Sequence, residues 1–403
     1  MSNRAPALAL LALLGSACAP SLAQRENAAQ PALDALRASK FADARKAAQQ
    51  VIGHDSGNPY ARVVDAIARY RETMHNLVTD IGALAISLFQ FHELNDRILR
   101  LSIEGADKEL AAVDDDLVKA AAFPDLEFDL CLACWEVDWN RNGSIDDRDR
   151  RLLEIELDAK GEELPEGDAR RRPTFRFDHG DVLWARAMVA FQRAAMNIVL
   201  AYAWSDAGKA VPALMKTEGL FTIKLDRPER MAEARRLLTL GLDMADACRK
   251  AYLAETDDER EWLPNPRQKN HPMPLPVDDE LYRTWELIVG DLRRLLNGEE
   301  GLSVTDLAQL GDHKWDNPPR GFLDLGGMLA KPKDVTLDMT AISNRHKDAE
   351  ENPESLLRDV LGPYYRADMK PSPLIGRLSR MKAEIDHGKE STERKLRYLL
   401  WLN

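Results

Sequence analysis

The sequence predicts a mainly α-helical protein, organised as a helical bundle or a solenoid-like array. Three observations support this prediction. Apolar residues recur at spacings of three and four along most of the chain, which is the period of a helix with one buried face. Capping residues precede many of these segments, and Gly or Pro often follows them. Strand-like alternation is scarce, and the main irregular region lies near residues 298–340.

The composition is that of a folded protein with little affinity for nucleic acid. Of the 403 residues 45% are hydrophobic and 30% are charged, which excludes a wholly disordered chain. Lys and Arg total 55 against 67 Asp and Glu, so the formal net charge is −12. Because a phosphate backbone would be repelled by this charge, we expect no nucleic-acid partner.

Residues 1–23 have the pattern of a secretory signal peptide. One positive charge precedes a mostly apolar run over residues 5–14, and small residues lead to a cleavage point before Gln24. The run is too short to cross a bilayer, which takes about 20 residues, and no later segment is long enough. Cys18 lies in a stretch that loosely resembles a bacterial lipoprotein site. We therefore expect a secreted or periplasmic bacterial protein, with a lipid anchor at Cys18 as the alternative.

Residues 24–125 are predicted to form an amino-terminal helical region. One helix is expected over residues 29–53, a long one from Pro59 to Ile103, and a shorter acidic one over 106–122. The long helix is predicted from a heptad pattern, which favours packing within a bundle over a coiled coil between chains. The heptad positions are Val63, Ile67, Tyr70, Met74, Leu77, Ile81, Leu84, Leu88 and Phe91.

Part of this region resembles a single tetratricopeptide repeat. Small and apolar residues after Phe41, followed by Asn58 and Pro59 at a new helix start, are similar to the second half of one such repeat, near residues 34–67. No second copy follows at a spacing of 34 residues, so a repeat array is not expected. The resemblance suggests a protein or peptide partner.

Residues 126–159 contain the motif with the clearest chemistry. Twelve residues, from Asp138 to Asp149, have the spacing of a calcium loop in which alternate positions turn oxygens towards a hard cation. Gly143 stands where the tight turn needs a positive φ. The predicted Ca²⁺ ligands are Asp138, Asn140, Asn142, Ser144 (through its carbonyl), Asp146 and Asp149. The motif resembles the EF-hand family, which implies a helix on each side of the loop.

The last position of the loop departs from the common pattern. It holds Asp149 in place of the longer Glu, as in extracellular calcium modules such as dockerins, which the loop resembles. Dockerins carry two loops, and the sequence contains one. With Arg141 and Arg148 nearby, we expect modest affinity, on the order of 10⁻⁵ to 10⁻³ M. Such a site suits a structural ion better than a cytosolic sensor.

Residues 174–297 are predicted to form a central helical region. Asp178, Asp226 and Asp278 each open a helix. The group Asp178, His179 and Asp181 is interpreted first as a helix start, with an acid–base or metal role as the alternative. The Pro-rich loop over 257–276 is expected to be extended, either as a functional segment or as a solvated connector. Residues 298–403 are expected to be irregular, with a short hairpin between 323–329 and 335–339, and then helical.

The remaining chemistry-bearing motifs have simple interpretations. Cys131 and Cys134 form a CxxC pair, interpreted first as apolar core thiols, then as a local disulfide, and last as a redox or metal group. Cys248 is expected in the core. His92 and Glu93 begin like a zinc-protease motif, but an Asp replaces the second His, so metalloprotease activity is not expected.

Taken together, these features favour an exported, non-enzymatic scaffold or binding protein that is stabilised by Ca²⁺. Two alternatives stay open. One is a hydrolase with dispersed active-site residues, which a deep polar pocket joining His92, His179 or His271 would favour. The other is a helical protein or peptide receptor, which a broad concave helical face would favour.

Overall fold

The structure of the protein is a computed structural model. The residues described are 19–91, 94–139, 142–158, 162–206, 219–271, 277–306, 320–338, 340, 358 and 362–385. With 62% helix and a few short strands, the protein is mainly α-helical, which confirms the predicted fold class.

Two short helices begin the described chain. They are α1 (Leu22–Arg37) and α2 (Phe41–His54). The single helix expected over residues 29–53 is wrong, because Ser39 adopts a left-handed conformation with φ of 60°. The backbone N–H of Lys40 then donates to the carbonyl of Ala35 at 2.9 Å, which is the C-terminal capping motif of a helix. The predicted cleavage before Gln24 falls within the first turn of α1, where Ser21 and Gln24 form a capping box; cleavage there stays a prediction.

The long heptad segment forms a helical hairpin. Its two helices are α3 (Pro59–Phe91) and α4 (Asp96–Ala120). The expected continuous helix to Ile103 is wrong, because Asn95 caps a new helix by accepting a hydrogen bond from the N–H of Ile98 at 3.1 Å. An ion pair between Arg62 and Asp116, 2.5 Å apart, joins the start of α3 to the end of α4. Of the heptad residues, Val63 and Leu84 are buried in the core, whereas Ile81 is 39% exposed.

The segment before the predicted calcium loop is not helical. It consists of strand β1 (Phe128–Leu130) and a 3₁₀ turn (Leu132–Cys134). The short helix α5 (Asp147–Arg151) begins inside the loop and ends two residues after it, so the expected exiting helix is wrong beyond Arg151. Strand β1 pairs antiparallel with β2 (Phe175–Phe177). The expected entering helix is wrong because this segment starts as a strand, with Phe128 and Leu130 on one face. The residues that pair with them lie 45 or more residues away in sequence.

Three long helices form the centre of the molecule. They are α6 (His179–Leu200), α7 (Pro228–Ala254) and α8 (Asp279–Leu296). Asp178 and Asp278 cap α6 and α8, as the sequence predicts, whereas the residue at the N-cap of α7 is Arg227 and not Asp226. Helix α6 lies between α4 and α7. Two part-buried ion pairs join α4 to α6 in antiparallel register. They are Arg186–Asp114 at 3.0 Å and Arg193–Asp107 at 2.9 Å.

The carboxy-terminal part carries two small antiparallel sheets. One joins β3 (Tyr202–Ala203), β4 (Leu220–Leu225) and β7 (Val335–Asp338), and the other joins β5 (Leu302–Ser303), β6 (Phe322–Leu323) and β8 (Tyr365–Arg366). The helices α9 (Leu325–Ala330) and α10 (Leu374–Ile385) accompany them. The hairpin expected between 323–329 and 335–339 is wrong. Asp324 caps α9 instead, and β7 pairs with β4.

The largest buried cluster joins the amino-terminal and central helices into one core. It includes residues from α1 to α4, both strands of the first pair, α6, α7 and the segment that follows α7. In that segment Trp262 is 2% exposed and Asn265 is 1% exposed. Residues 261–265 of the Pro-rich loop are therefore packed, whereas residues 257–259 and 269–270 are exposed. Residues 272–276 of the loop, and residues 341–357 and 386–403 of the expected carboxy-terminal helices, lie outside the described residues.

Candidate metal centre and acidic pocket

The predicted calcium loop folds around the carboxylate of its first residue. Oδ1 of Asp138 accepts a hydrogen bond from the backbone N–H of Asn142 at 3.1 Å, and Oδ2 accepts one from Gly143 at 2.8 Å. Gly143 has φ of 87°, as its sixth position in the loop requires. The chain therefore turns back over Asp138 as a calcium loop does.

The middle of the loop is organised by a side-chain amide. Oδ1 of Asn142 accepts hydrogen bonds from the backbone N–H of Ser144 at 2.9 Å and from its hydroxyl at 2.7 Å. Its Nδ2 donates to Oδ2 of Asp146 at 3.3 Å. These contacts bring three of the predicted ligand residues together on one side of the turn. The predicted ligand Asn140, and Arg141 beside it, lie outside the described residues.

The end of the loop is closed by Asp149, which is 3% exposed. Its Oδ1 accepts from the N–H of Trp139 at 2.9 Å, and its Oδ2 accepts from the N–H of Asp146 at 3.0 Å. The two carboxylates form a capping box at the start of α5. Hydrogen bonds from the N–H groups of Arg148 and Asp149 lower the pKa of Asp146, so this carboxylate is held in its ionised form.

The flank that enters the loop is held by a disulfide and by packing. Cys131 and Cys134 are joined by a disulfide bond, which agrees with the second of the three interpretations of the CxxC pair. The ring of Trp135 packs edge-on against Phe41 with centroids 5.1 Å apart. The N–H of Glu136 donates to the hydroxyl of Ser39 at 2.9 Å, and α5 packs against the 3₁₀ turn.

A second site, which we call the acidic pocket, lies where the first turn of α6 meets the end of α7. It is a cavity of about 280 Å³. Its walls carry five acids against one Arg and one His. The charged residues that line it are Glu127, Arg176, Asp178, His179, Glu255, Asp257 and Glu261.

Three carboxylates converge in the acidic pocket. One oxygen each of Asp178, Glu255 and Glu261 lies within 4.8 Å of the others, which is close enough to hold one divalent cation. Among the described residues this is the one group of three or more acidic, His or Cys side chains with that spacing; the acids of the calcium loop turn towards backbone N–H groups instead.

Burial keeps part of the acidic pocket protonated. Desolvation, with Asp178 beside it, raises the pKa of Glu255 to about 10, and desolvation raises the pKa of Glu261 to about 7. Burial also raises the pKa of Asp181, whose Oδ1 accepts a hydrogen bond from the hydroxyl of Tyr252 at 2.6 Å. The pocket can therefore hold protons at neutral pH, or exchange them for a cation.

The floor of the acidic pocket is tightly packed. A Cβ on Gly180 would lie 2.6 Å from the ring of Tyr252, so this position in α6 tolerates glycine alone. Burial lowers the pKa of His179, and its Nδ1 is buried with no hydrogen-bond partner among the described residues. A neutral imidazole therefore faces the carboxylates.

The sequence identified only part of the acidic pocket. The capping role predicted for Asp178 is confirmed, and the same residue lines the cavity with His179. His271 does not line it, and His92 lies outside the described residues, so the structure does not bring the three candidate histidines together. Sequence reasoning missed Glu255 and Glu261. The only signal was the acidic run between them, just after a helix end.

Comparisons with protein-family models, with curated proteins and with solved structures found no match. Among the described helices, none has the length and apolarity needed to cross a membrane.

Proposed function

We propose that this chain is an exported calcium-binding helical protein, in which Ca²⁺ at the loop Asp138–Asp149 has a structural and not an enzymatic role. The observation that carries the proposal is the fold of the loop. Asp138 collects the N–H groups of Asn142 and Gly143, and Asp149 closes the loop onto Trp139 and Asp146. These hydrogen bonds support the turn that a calcium loop needs.

The ligand set is the one that the motif predicts. Asp138, Asn142, Asp146 and Asp149 supply side-chain oxygens, Ser144 supplies its carbonyl, and Asn140 completes the set by its place in the motif. These residues would hold the ion, which wants six to eight oxygens. Binding then locks α5 to the disulfide-closed turn and so to the core.

The proposed location follows from the first 23 residues, whose pattern predicts export. Outside the cytosol calcium is abundant, so a loop of modest affinity would be occupied. A surface disulfide also suits an oxidising compartment.

Calorimetric titration of the purified mature chain with Ca²⁺ tests the proposal. We expect one site with a dissociation constant on the order of 10⁻⁵ to 10⁻³ M. Asp138→Ala should weaken binding by at least about 100-fold, since even partners behind the ligands contribute 10- to 100-fold. Asp147→Ala is the matched control, because this exposed Asp lies in the same loop outside the predicted ligand set. Equal affinities of the two variants would contradict the proposal.

A second candidate function is favoured by the acidic pocket, namely acid–base hydrolysis of a small polar substrate. A carboxylic acid that stays protonated at neutral pH can donate a proton to a leaving group, and a neighbouring carboxylate can activate water. Glu255 has the raised pKa that the acid needs, and Glu261, whose pKa is raised to about 7, lies close enough to act with it as the base.

This second candidate is tested with chromogenic esters, glycosides and peptides. Activity from the pocket should rise with pH through about 7, as Glu261 ionises, and fall above about 10, as Glu255 loses its proton. Glu255→Gln should abolish it, while Glu280→Gln on the exposed face of α8 should leave it unchanged. An activity that survives Glu255→Gln does not come from this pocket.

A further inference from the structure

The disulfide of the CxxC pair lies directly beside the proposed calcium loop. Three residues separate Cys134 from Asp138, the first residue of the loop. The 3₁₀ turn Leu132–Cys134 that the disulfide closes is short, and its two main-chain hydrogen bonds are modest, at 3.2 Å from the N–H of Cys134 and 3.1 Å from that of Trp135. The covalent bond is therefore a major restraint on this turn.

The disulfide takes the place of a missing structural element. EF-hand loops are held between two helices, whereas here the entering side has a single 3₁₀ turn and the exit side has five residues of α5. These two short pieces pack directly against each other. Since the disulfide fixes the entering piece, it also restricts where α5 and Asp149 stand relative to Asp138.

The disulfide is accessible to a reductant. Cys134 is exposed and Cys131 is half-buried, so a dithiol in solution can attack the Cys134 sulfur. Cys248, the other cysteine that the structure describes, is 0% exposed and takes no part in exchange. Thiol–disulfide chemistry in the described chain therefore falls on the one pair beside the loop.

We infer that the Cys131–Cys134 disulfide is a redox control on the calcium loop, such that its reduction by a dithiol weakens Ca²⁺ binding. The inference rests on the proposed function. Reduction breaks the Sγ–Sγ bond, two electrons and two protons pass to the cysteines as two thiols, and the dithiol closes its own disulfide. The freed turn must then be ordered again when the ion binds, at an entropic cost.

Other contacts of the segment between Cys134 and the calcium loop limit how much Ca²⁺ affinity is lost on reduction. Trp135 against Phe41, the bond from Glu136 to Ser39 and the 4% exposed Val137 all survive reduction. The loop should therefore keep its fold, and the coupling should lie in the ordinary range of about 5- to 150-fold. By reciprocity, bound Ca²⁺ makes the disulfide harder to reduce by the same factor.

The test is calorimetric Ca²⁺ titration of the full mature chain in its oxidised form and after treatment with a phosphine reductant. We expect at least about fivefold weaker binding after reduction. The double variant Cys131→Ser/Cys134→Ser should bind as weakly as the reduced chain and should not respond to the reductant. If this variant fails to fold, equilibration of the wild-type disulfide with dithiothreitol, with and without Ca²⁺, measures the same coupling from the other side.

The outcomes separate the inference from the proposed function. Equal Ca²⁺ affinity in the oxidised and reduced chains overturns the redox control and leaves calcium binding intact. Absence of binding in the oxidised chain overturns both. A fivefold or larger loss on reduction, with circular dichroism unchanged, supports the inference.

Discussion

The calcium loop and the acidic pocket both gather carboxylates, but they treat the negative charge in opposite ways. In the loop, backbone N–H groups point at the carboxylates, and the pKa of Asp146 is lowered. In the pocket, burial and neighbouring acids raise the pKa of Glu255 to about 10 and that of Glu261 to about 7. The same functional group is thus held ionised in one region and protonated in the other.

The difference comes from the elements that supply the residues. The loop is a local structure, in which the described residues are joined by short-range hydrogen bonds. The pocket is a long-range structure, in which the start of α6, the end of α7 and the packed segment around Trp262 meet in the core. Loop chemistry should therefore depend on the ion, and pocket chemistry on packing.

The largest expected effect is the removal of the aromatic side chain behind the pocket. Trp262 is 2% exposed and packs against Phe177 and Trp184, with centroids 6.5 and 6.2 Å away. Trp262→Ala should lower the free energy of unfolding by about 3 to 5 kcal/mol, measured by urea denaturation. Leu152→Ala is the control, since Leu152 is 46% exposed. A loss below about 1 kcal/mol for Trp262→Ala would show that the pocket does not depend on core packing.

The pH dependence of stability should report on the pocket. Glu261 is 5% exposed, and its pKa rises from 4.5 in the unfolded chain to about 7 in the folded one. The folded state then holds a proton that the unfolded state has released, so this contribution is full below pH 4.5 and is lost as the pH rises through 7. The change is on the order of 3 kcal/mol.

Urea denaturation between pH 5 and 8 measures this decline. Glu261→Gln should make the decline below pH 7 less steep, while the decline due to Glu255, whose pKa is raised to about 10, should remain. Glu280→Gln on the exposed face of α8 should leave the curve unchanged. If the free energy of unfolding of Glu261→Gln fell with pH as steeply as that of the wild type, the proton would be bound at another residue.

Ca²⁺ bound at the loop should stabilise the protein independently of the acidic pocket. At a concentration 100 times its dissociation constant, Ca²⁺ should raise the free energy of unfolding by about 2.7 kcal/mol. Glu261→Gln should keep this increment, and Asp138→Ala should lose it. Denaturation curves with Ca²⁺ and with a chelator give the numbers. An equal increment in Asp138→Ala would place the ion at another site.

The smallest effect distinguishes two glycines. Gly143 has a positive φ, so Gly143→Ala should cost about 1 to 2 kcal/mol and weaken Ca²⁺ binding. Gly105 lies inside α4, where an added Cβ would meet no atom within 4 Å, so Gly105→Ala should stabilise by about 0.4 to 1 kcal/mol. Thermal melting of both variants suffices. If neither variant lost stability, the turn at Gly143 would accept an alanine without strain.

The local parts of this molecule were predictable from the sequence, and the boundaries set by single caps were not. The spacing of apolar residues indicates the helical class, and the motif alone indicates a positive φ at Gly143. The helix predicted from the heptad pattern, however, was extended past Phe91 to Ile103, whereas the cap of Asn95 starts a new helix. The left-handed Ser39 likewise interrupts a helix without any Gly or Pro to signal it.

The acidic pocket could be predicted only in part, because its residues meet through tertiary packing. Asp178 and Glu255 are far apart in sequence. The hydrogen bond from the hydroxyl of Tyr252 to Asp181 and the burial of Trp262 bring them together. The strand at Phe128 was missed for the same reason, since its partner strand follows the calcium loop. Periodicity reports on a local face and carries no information about which distant segment covers it.

The paired charges between α4 and α6 also limit how this chain can change its length. Arg186 with Asp114 and Arg193 with Asp107 match the two helices residue for residue. One residue inserted between Asp107 and Asp114, or between Arg186 and Arg193, would turn the rest of that helix by about 100°. The two ion pairs could then not form together. Insertions and deletions should therefore accumulate in the connections between helices, where the spacing of these four side chains is left untouched.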